Sequence, residues 1–179
     1  MAAVSSNKVS VKWSLFYVIV SIILIYVYQF LNIDQTSGIK YIAYIPYIGF
    51  MLLAQKEYKE QLGGFMTFGE GFMTGFKYTI ITAVLIALFM YLYWTILSPQ
   101  VYRQLMDASK AKLEEKGNLT DDQINTALSY TTAGLMSVII LISSLVMGTI
   151  ISLIGAAIFK KDRPSFLAQE PTNYVDPAV

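Results

Sequence analysis

Cysteine and histidine are both absent from this chain of 179 residues. Without cysteine there is no disulfide framework and no thiol nucleophile. Without either residue, the usual zinc sites and the commonest general base are gone. Charge is scarce as well. Charged residues make up 14% of the chain, where roughly 25% is ordinary for soluble domains. The 13 Lys and Arg nearly cancel the 12 Asp and Glu, so no basic excess exists to hold a phosphate backbone and no nucleic-acid partner is expected. A hydrophobic share of 55% excludes a disordered chain, which needs low hydrophobicity and high charge. What remains to decide is whether the apolar excess fills a soluble core or crosses a bilayer.

The charges are missing in long blocks. None lies between Trp13 and Ile33, between Tyr78 and Leu97, or between Ile124 and Phe159, where the apolar stretch begins near Ala133. A helix needs about 20 mostly apolar residues to cross the hydrocarbon layer. A soluble core helix would keep a polar stripe, and these blocks have none. Spans are therefore expected at about 13–33, 74–97 and 133–159. A fourth segment, 39–55, has a shorter apolar run from Tyr41 to Ala54. It reaches spanning length only if Lys40 extends outward and Gln55 is included. Pro46 removes one backbone hydrogen bond there, and Gly49 follows, so a kink is expected rather than a broken-helix binding site.

Basic residues favour the cytoplasmic side of a membrane. With four spans, Lys8, Lys12, Lys56, Lys59, Lys77, Lys160, Lys161 and Arg163 share one side, against Lys40, Arg103, Lys110, Lys112 and Lys116 on the other. Three spans would move the last three of the first group across and erase the bias. With four spans, Tyr26, Tyr28, Tyr41, Tyr44, Tyr91, Tyr93 and Trp94 gather at the outer interface, where such rings prefer to sit. The first apolar block is longer than the core of a cleaved signal peptide and lacks a small-residue cleavage site. It is expected to stay as a helix. Both termini are expected to be cytoplasmic.

The one sizeable polar stretch, 98–132, has helical spacing: Tyr102, Leu105, Met106, Ser109 and Leu113 share a face. Gly117 is a natural stop, and Thr120 with Gln123 forms a capping box that starts a second helix at Asp121. A helical hairpin, acting as a solvated connector, is expected here. The segment 63–76 alternates glycine with Phe65, Phe68, Phe72 and Phe76 and suggests a turn followed by an interfacial or re-entrant stretch. Residues 164–179 are polar, with Pro171 and Pro177, and are expected to be a disordered cytoplasmic tail. Residues 1–163 form the single membrane domain.

Small residues recur at every fourth position in two spans: Gly71, Gly75, Thr79, Ala83 and Ala87 in the third, and Ser144, Gly148, Ser152 and Ala156 in the fourth. Spacing of four puts each set on one helical stripe. Helices in lipid pack by close backbone approach through such residues, so these two spans are expected to pack together within one chain, with self-association as the alternative. Glu70 and Lys77 lie at the start of the third span. They are candidates for a charge relay, and interfacial anchoring is the plainer reading. No charge falls at mid-span, which disfavours ion-coupled transport. No phosphate loop, nucleophile motif or dinucleotide fingerprint occurs. No cofactor, metal site or enzymatic activity is expected.

Three stretches resemble a known family: TFGEGFMTGF before the third span, SPQVYRQLMDASKAKLEEKG with its Thr-Asp-Asp-Gln restart, and the closing SLVMGTIISLIGAAIFKKDRP. Over about residues 10–165 the chain is similar to a bacterial membrane family, domain of unknown function 4199, associated with Bacteroidota. The resemblance implies a protein of the inner membrane with the hairpin facing the periplasm, and it implies no activity. The expected architecture is an all-α membrane protein: a four-transmembrane-helix bundle with an extramembrane helical hairpin between spans three and four. The expected role is a non-enzymatic accessory or scaffolding component in contact with the lipid bilayer and other membrane proteins. The alternative is a small transporter, channel or lipid-handling protein.

Overall fold

A computed structural model describes residues 5–31, 38–115, 117, 119–162 and 164. The expected tail beyond Pro164, Arg163, Lys116 and the end of the first span at Ile33 lie outside the described residues. Six α-helices follow in order: α1 Ser6–Phe30, α2 Tyr44–Gln61, α3 Phe68–Leu92, α4 Pro99–Glu115, α5 Asp121–Tyr130 and α6 Ala133–Phe159. A 3-10 turn, Gly38–Ala43, leads into α2, and a π-turn, Tyr93–Leu97, prolongs α3. Among the described residues there is no strand, only an isolated bridge between Met66 and Lys161.

Among the described residues, three helices are long and apolar enough to cross a membrane: α1, α3 with its π-turn, and α6. The fourth expected span, 39–55, is not one of them. Its regular helix begins only at Tyr44, and the second half of α2 carries Lys56, Glu57, Lys59 and Glu60. Pro46 is the third residue of α2. In a first turn its missing N–H leaves no gap in the helix ladder. The chain changes from 3-10 to α at Tyr44, two residues before Pro46. The third expected span also starts earlier. Phe68–Phe76, expected as an interfacial stretch, is helical, because Thr67 and Glu70 cap it. The Thr67 amide donates to Glu70 Oε2 at 2.8 Å, and the Glu70 amide donates to Thr67 Oγ1 at 3.3 Å.

Cross-helix bonds fix the directions. Ser10 donates to the Thr74 carbonyl at 2.8 Å, Ser14 to the Tyr78 carbonyl at 3.3 Å, and Tyr93 at the far end to Gln29 Oε1 at 3.0 Å. So α1 and α3 run parallel. Helix α2 returns against α1, with Lys12 bonded to Glu57 at one end and the Tyr17 and Tyr47 rings 5.1 Å apart further along. Helix α6 returns against α3. Met66 and Lys161 exchange amide-to-carbonyl bonds of 2.9 Å, tying the α2–α3 turn to the end of α6.

The packing is inverted relative to a soluble bundle. Leu15, Ile19 and Ile23 of α1, Ile80, Val84 and Leu88 of α3, and Val146, Ile150 and Ile154 of α6 are all exposed, each set at spacing of four. Buried inside are Ser10, Ser14, Gln55, Thr74, Thr79, Thr82 and Ser152. Large apolar side chains facing outward, with hydroxylated and amide side chains buried beside Tyr47, Met51, Tyr78 and Ile151, is an arrangement suited to lipid as solvent. The connector is a helical hairpin. Gly117 sits at φ +64, a conformation that favours glycine. The Thr120 amide donates to Gln123 Oε1 at 2.9 Å as the capping box requires. Helix α5 stops at Tyr130, and Thr132 caps α6 separately.

Candidate functional site

The α3–α6 seam is built by the two small-residue stripes in antiparallel register. A Cβ on Gly71 would come within 3.2 Å of the Ala156 Cα. One on Gly75 would collide with the Ser152 hydroxyl, and one on Gly148 with Thr79 and the Tyr47 hydroxyl. Each step of four up α3 is thus matched by four down α6: Gly71 with Ala156, Gly75 with Ser152, Thr79 with Gly148. Ser152 also donates to the Phe72 carbonyl at 2.8 Å.

Gln55 holds this seam from α2. It is fully buried. Its Nε2 donates to the Gly71 carbonyl of α3 and the Ser152 carbonyl of α6, both at 3.0 Å. One amide group therefore binds two helices, using both of its N–H donors. Its Oε1 has no hydrogen-bond partner among the described residues. That oxygen lies against Gly155, where any Cβ would overlap it, an approach suited to a weak Cα–H···O contact. Neither Gln55 nor Gly155 is among the residues singled out by sequence. A signal existed: Tyr47, Met51, Gln55 and Tyr58 are buried on one face of α2, and Gln55 is the polar member of that helical series.

One turn beyond Thr79 and Gly148, the next pair in register is Ala83 and Ser144. Both line a cavity of about 280 Å³. Tyr17 of α1, Tyr44 and Tyr47 of α2, Thr82 and Ile86 of α3, and Ile139, Ile140, Ser143 and Met147 of α6 complete most of its wall. Ala87 of the α3 stripe is buried one turn further on. The cavity lies near the midpoints of α1, α3 and α6. Among the described residues, no charged side chain lines it. Tyr44, Ile139 and Met147 are between 42% and 52% exposed, so the cavity reaches the outer surface of the bundle sideways, between α2 and α6. Behind it Tyr17, Tyr47 and Tyr78 pack ring against ring, and Tyr78 donates to the Tyr47 carbonyl at 3.1 Å.

The charged candidates sit elsewhere. Glu70 is occupied by the cap of α3, accepting from the Thr67 amide and hydroxyl. Lys77 donates to the Ser6 hydroxyl at 2.8 Å and so ties α3 to the start of α1. The two form no pair with each other in the described contacts. Gly49 has open space where a Cβ would be. A stronger charged cluster is one that sequence did not bring together: Glu57 accepts from Lys12, from Trp13 Nε1 at 2.7 Å and from Gln61 at 3.0 Å. Burial pushes the Glu57 carboxyl up, but those donors outweigh it and hold it below the ordinary 4.5.

The class defined by these features is an all-helical membrane-type bundle, three of whose helices are long and apolar enough to cross a bilayer. Within that class, residues 12–161 match the family described as Protein of unknown function (DUF4199), and the chain belongs to that family. Comparison with curated proteins and with solved structures finds no match.

Proposed function

We propose that this is a multi-pass protein of a bacterial inner membrane that takes a lipid-soluble molecule into its bundle and handles it without converting it. The observation that carries the reading is the charge-free, hydroxyl-bearing cavity, which opens sideways where a bilayer would lie. Ligand sites of this kind are concave, mostly apolar and supplied with a few polar groups. The accessory or scaffolding role expected from sequence drew on the lack of a catalytic motif and on the two small-residue stripes. Those stripes face each other across the α3–α6 seam, so they leave a partner little to bind.

In the proposed topology the chain crosses four times, but the second crossing differs in kind. Because α1 and α3 are parallel, the chain between them must return. The 3-10 turn and α2 do so with Gln55, Tyr47 and Tyr58 turned inward among the other helices. Polar backbone and side chains at membrane depth are tolerated where protein covers them. Lys8, Lys12, Lys56, Lys59, Lys77, Lys160 and Lys161 belong to the helix ends gathered at one end of the bundle, which supports a cytoplasmic position for that end.

Purification into nanodiscs formed with a lipid extract of the host, followed by native mass spectrometry, tests the function. A bound non-protein mass is expected, and Ala83→Leu, which fills the cavity, should abolish it. If the wild-type protein carries no such mass, or Ala83→Leu carries it equally, the cavity is not a ligand site.

A further inference from the structure

We propose that the ligand is the uncharged, oxygen-bearing head of a membrane lipid, which enters between α2 and α6 and is held by the hydroxyls of Ser143 and Ser144. The proposal rests on the ligand-binding reading of the cavity and adds the chemistry of the ligand and the residues that recognise it.

The first argument is charge. With no Lys, Arg, Asp or Glu among the described residues of the wall, a phosphate or ammonium head would shed its water and gain no counter-ion there, which is prohibitive in a low-dielectric site. An uncharged head loses only hydrogen bonds, and these the wall can replace.

The second argument is the state of the hydroxyls. A Ser or Thr inside a helix usually bonds back to the carbonyl one turn earlier. Helix α6 has five such side chains. Ser137 bonds to the Ala133 carbonyl at 2.8 Å and Thr149 to the Leu145 carbonyl at 2.6 Å, while Ser152 bonds across to α3. Ser143 and Ser144 have no hydrogen bond among the described residues. They are adjacent in sequence, both line the cavity, and Ser143 is exposed at its mouth. In lipid, two hydroxyls without partners are costly. A ligand that offers an oxygen to each satisfies both.

The third argument is shape. Ile139, Ser143 and Met147 stand one above another at spacing of four and form one side of the opening, with Tyr44 on the other. The volume is at the small end of the roughly 300–1,000 Å³ of ligand sites. It suits a head and the first few methylenes, with the rest of the chain left in the bilayer through the opening.

The test uses two photoactivatable probes in nanodiscs, a diacylglycerol and a phosphatidic acid with the same diazirine-bearing chains. Labelled residues are mapped by mass spectrometry. The diacylglycerol should label residues 139–147 and the phosphatidic acid should not. Unlabelled diacylglycerol should compete roughly tenfold less well against Ser143→Ala/Ser144→Ala, the loss expected for two neutral hydrogen bonds. The melting temperature of that double variant should match wild type, since neither hydroxyl holds a structural partner. Equal labelling by both probes overturns the uncharged-head proposal and leaves the cavity reading intact. So does labelling by neither probe when a native mass is nevertheless lost in Ala83→Leu. Competition unchanged in the double variant removes the serines from recognition. Labelling by neither probe, with no native mass bound, ends both readings.

Discussion

At the scale of single residues, Gln55 and Gly155 form a matched pair. Gly155→Ala places a methyl against the Gln55 amide oxygen and should destabilise the protein by about 1–3 kcal/mol, the usual range for an overpacked contact. Gln55→Ala makes room for that methyl, so the double variant should cost less than the sum of the two. Unfolding in mixed detergent checks this, and strict additivity would show that the two side chains do not meet. Glu57 supplies a pH dependence. Its value is depressed in the folded protein, so its stabilising contribution is complete above the ordinary 4.5 and is lost as pH falls through the lower folded value. The melting temperature should therefore drop on acidification below that point, and Glu57→Gln should flatten this part of the profile. A slope unchanged in Glu57→Gln would assign it to other carboxylates.

At the scale of elements, capping explains what first looks like chemistry. Glu70 is the third residue of α3 and closes a capping box with Thr67. Glutamine serves that position as well as glutamate. Glu70→Gln should therefore leave stability and ligand binding close to wild type, whereas Thr67→Ala should cost about 1 kcal/mol. A Glu70→Gln variant that folds normally but loses the bound ligand would restore a role for the charge. The same Thr-x-x-Glu spacing was present in the sequence, but the glycines and phenylalanines around it pointed to an irregular segment. The matching box at Thr120 and Gln123 was legible because a polar stretch surrounds it. Helices α1, α3 and α6 were legible for a related reason: a long charge-free block leaves the backbone no other way to satisfy itself in lipid. Helix α2 was not, because its inward face and its charged end average to a weak signal.

At the scale of the whole molecule, parallel α1 and α3 decide the path of the chain. A periplasm-active reporter fused after Gly117 should be active and one fused after Gly63 inactive. The reverse result would either invert the proposed orientation or remove α2 as a crossing, and activity at both sites would remove α3, which lies between them. The stripes of small residues revealed in the sequence which helices meet. They did not reveal the cavity, which depends on where two helices part and on tyrosines contributed by a third and a fourth. The absence of cysteine gives a practical check. Cysteines introduced at Gly71 and Ala156 have no background to compete with and should crosslink within one chain.

The stripes have one further consequence. A ladder of small residues at every fourth position looks much the same after α6 slides by four residues, about 6 Å. Such a ladder chooses the face on which two helices meet but leaves their alignment nearly degenerate. What breaks the degeneracy is polar and singular: the Gln55 amide on the Gly71 and Ser152 carbonyls, the Ser152 hydroxyl on Phe72, and the paired bonds between Met66 and Lys161. Removing Gln55 should thus do more than loosen the bundle. It should let one sequence populate two alignments, each closing or enlarging the space beside Ser144.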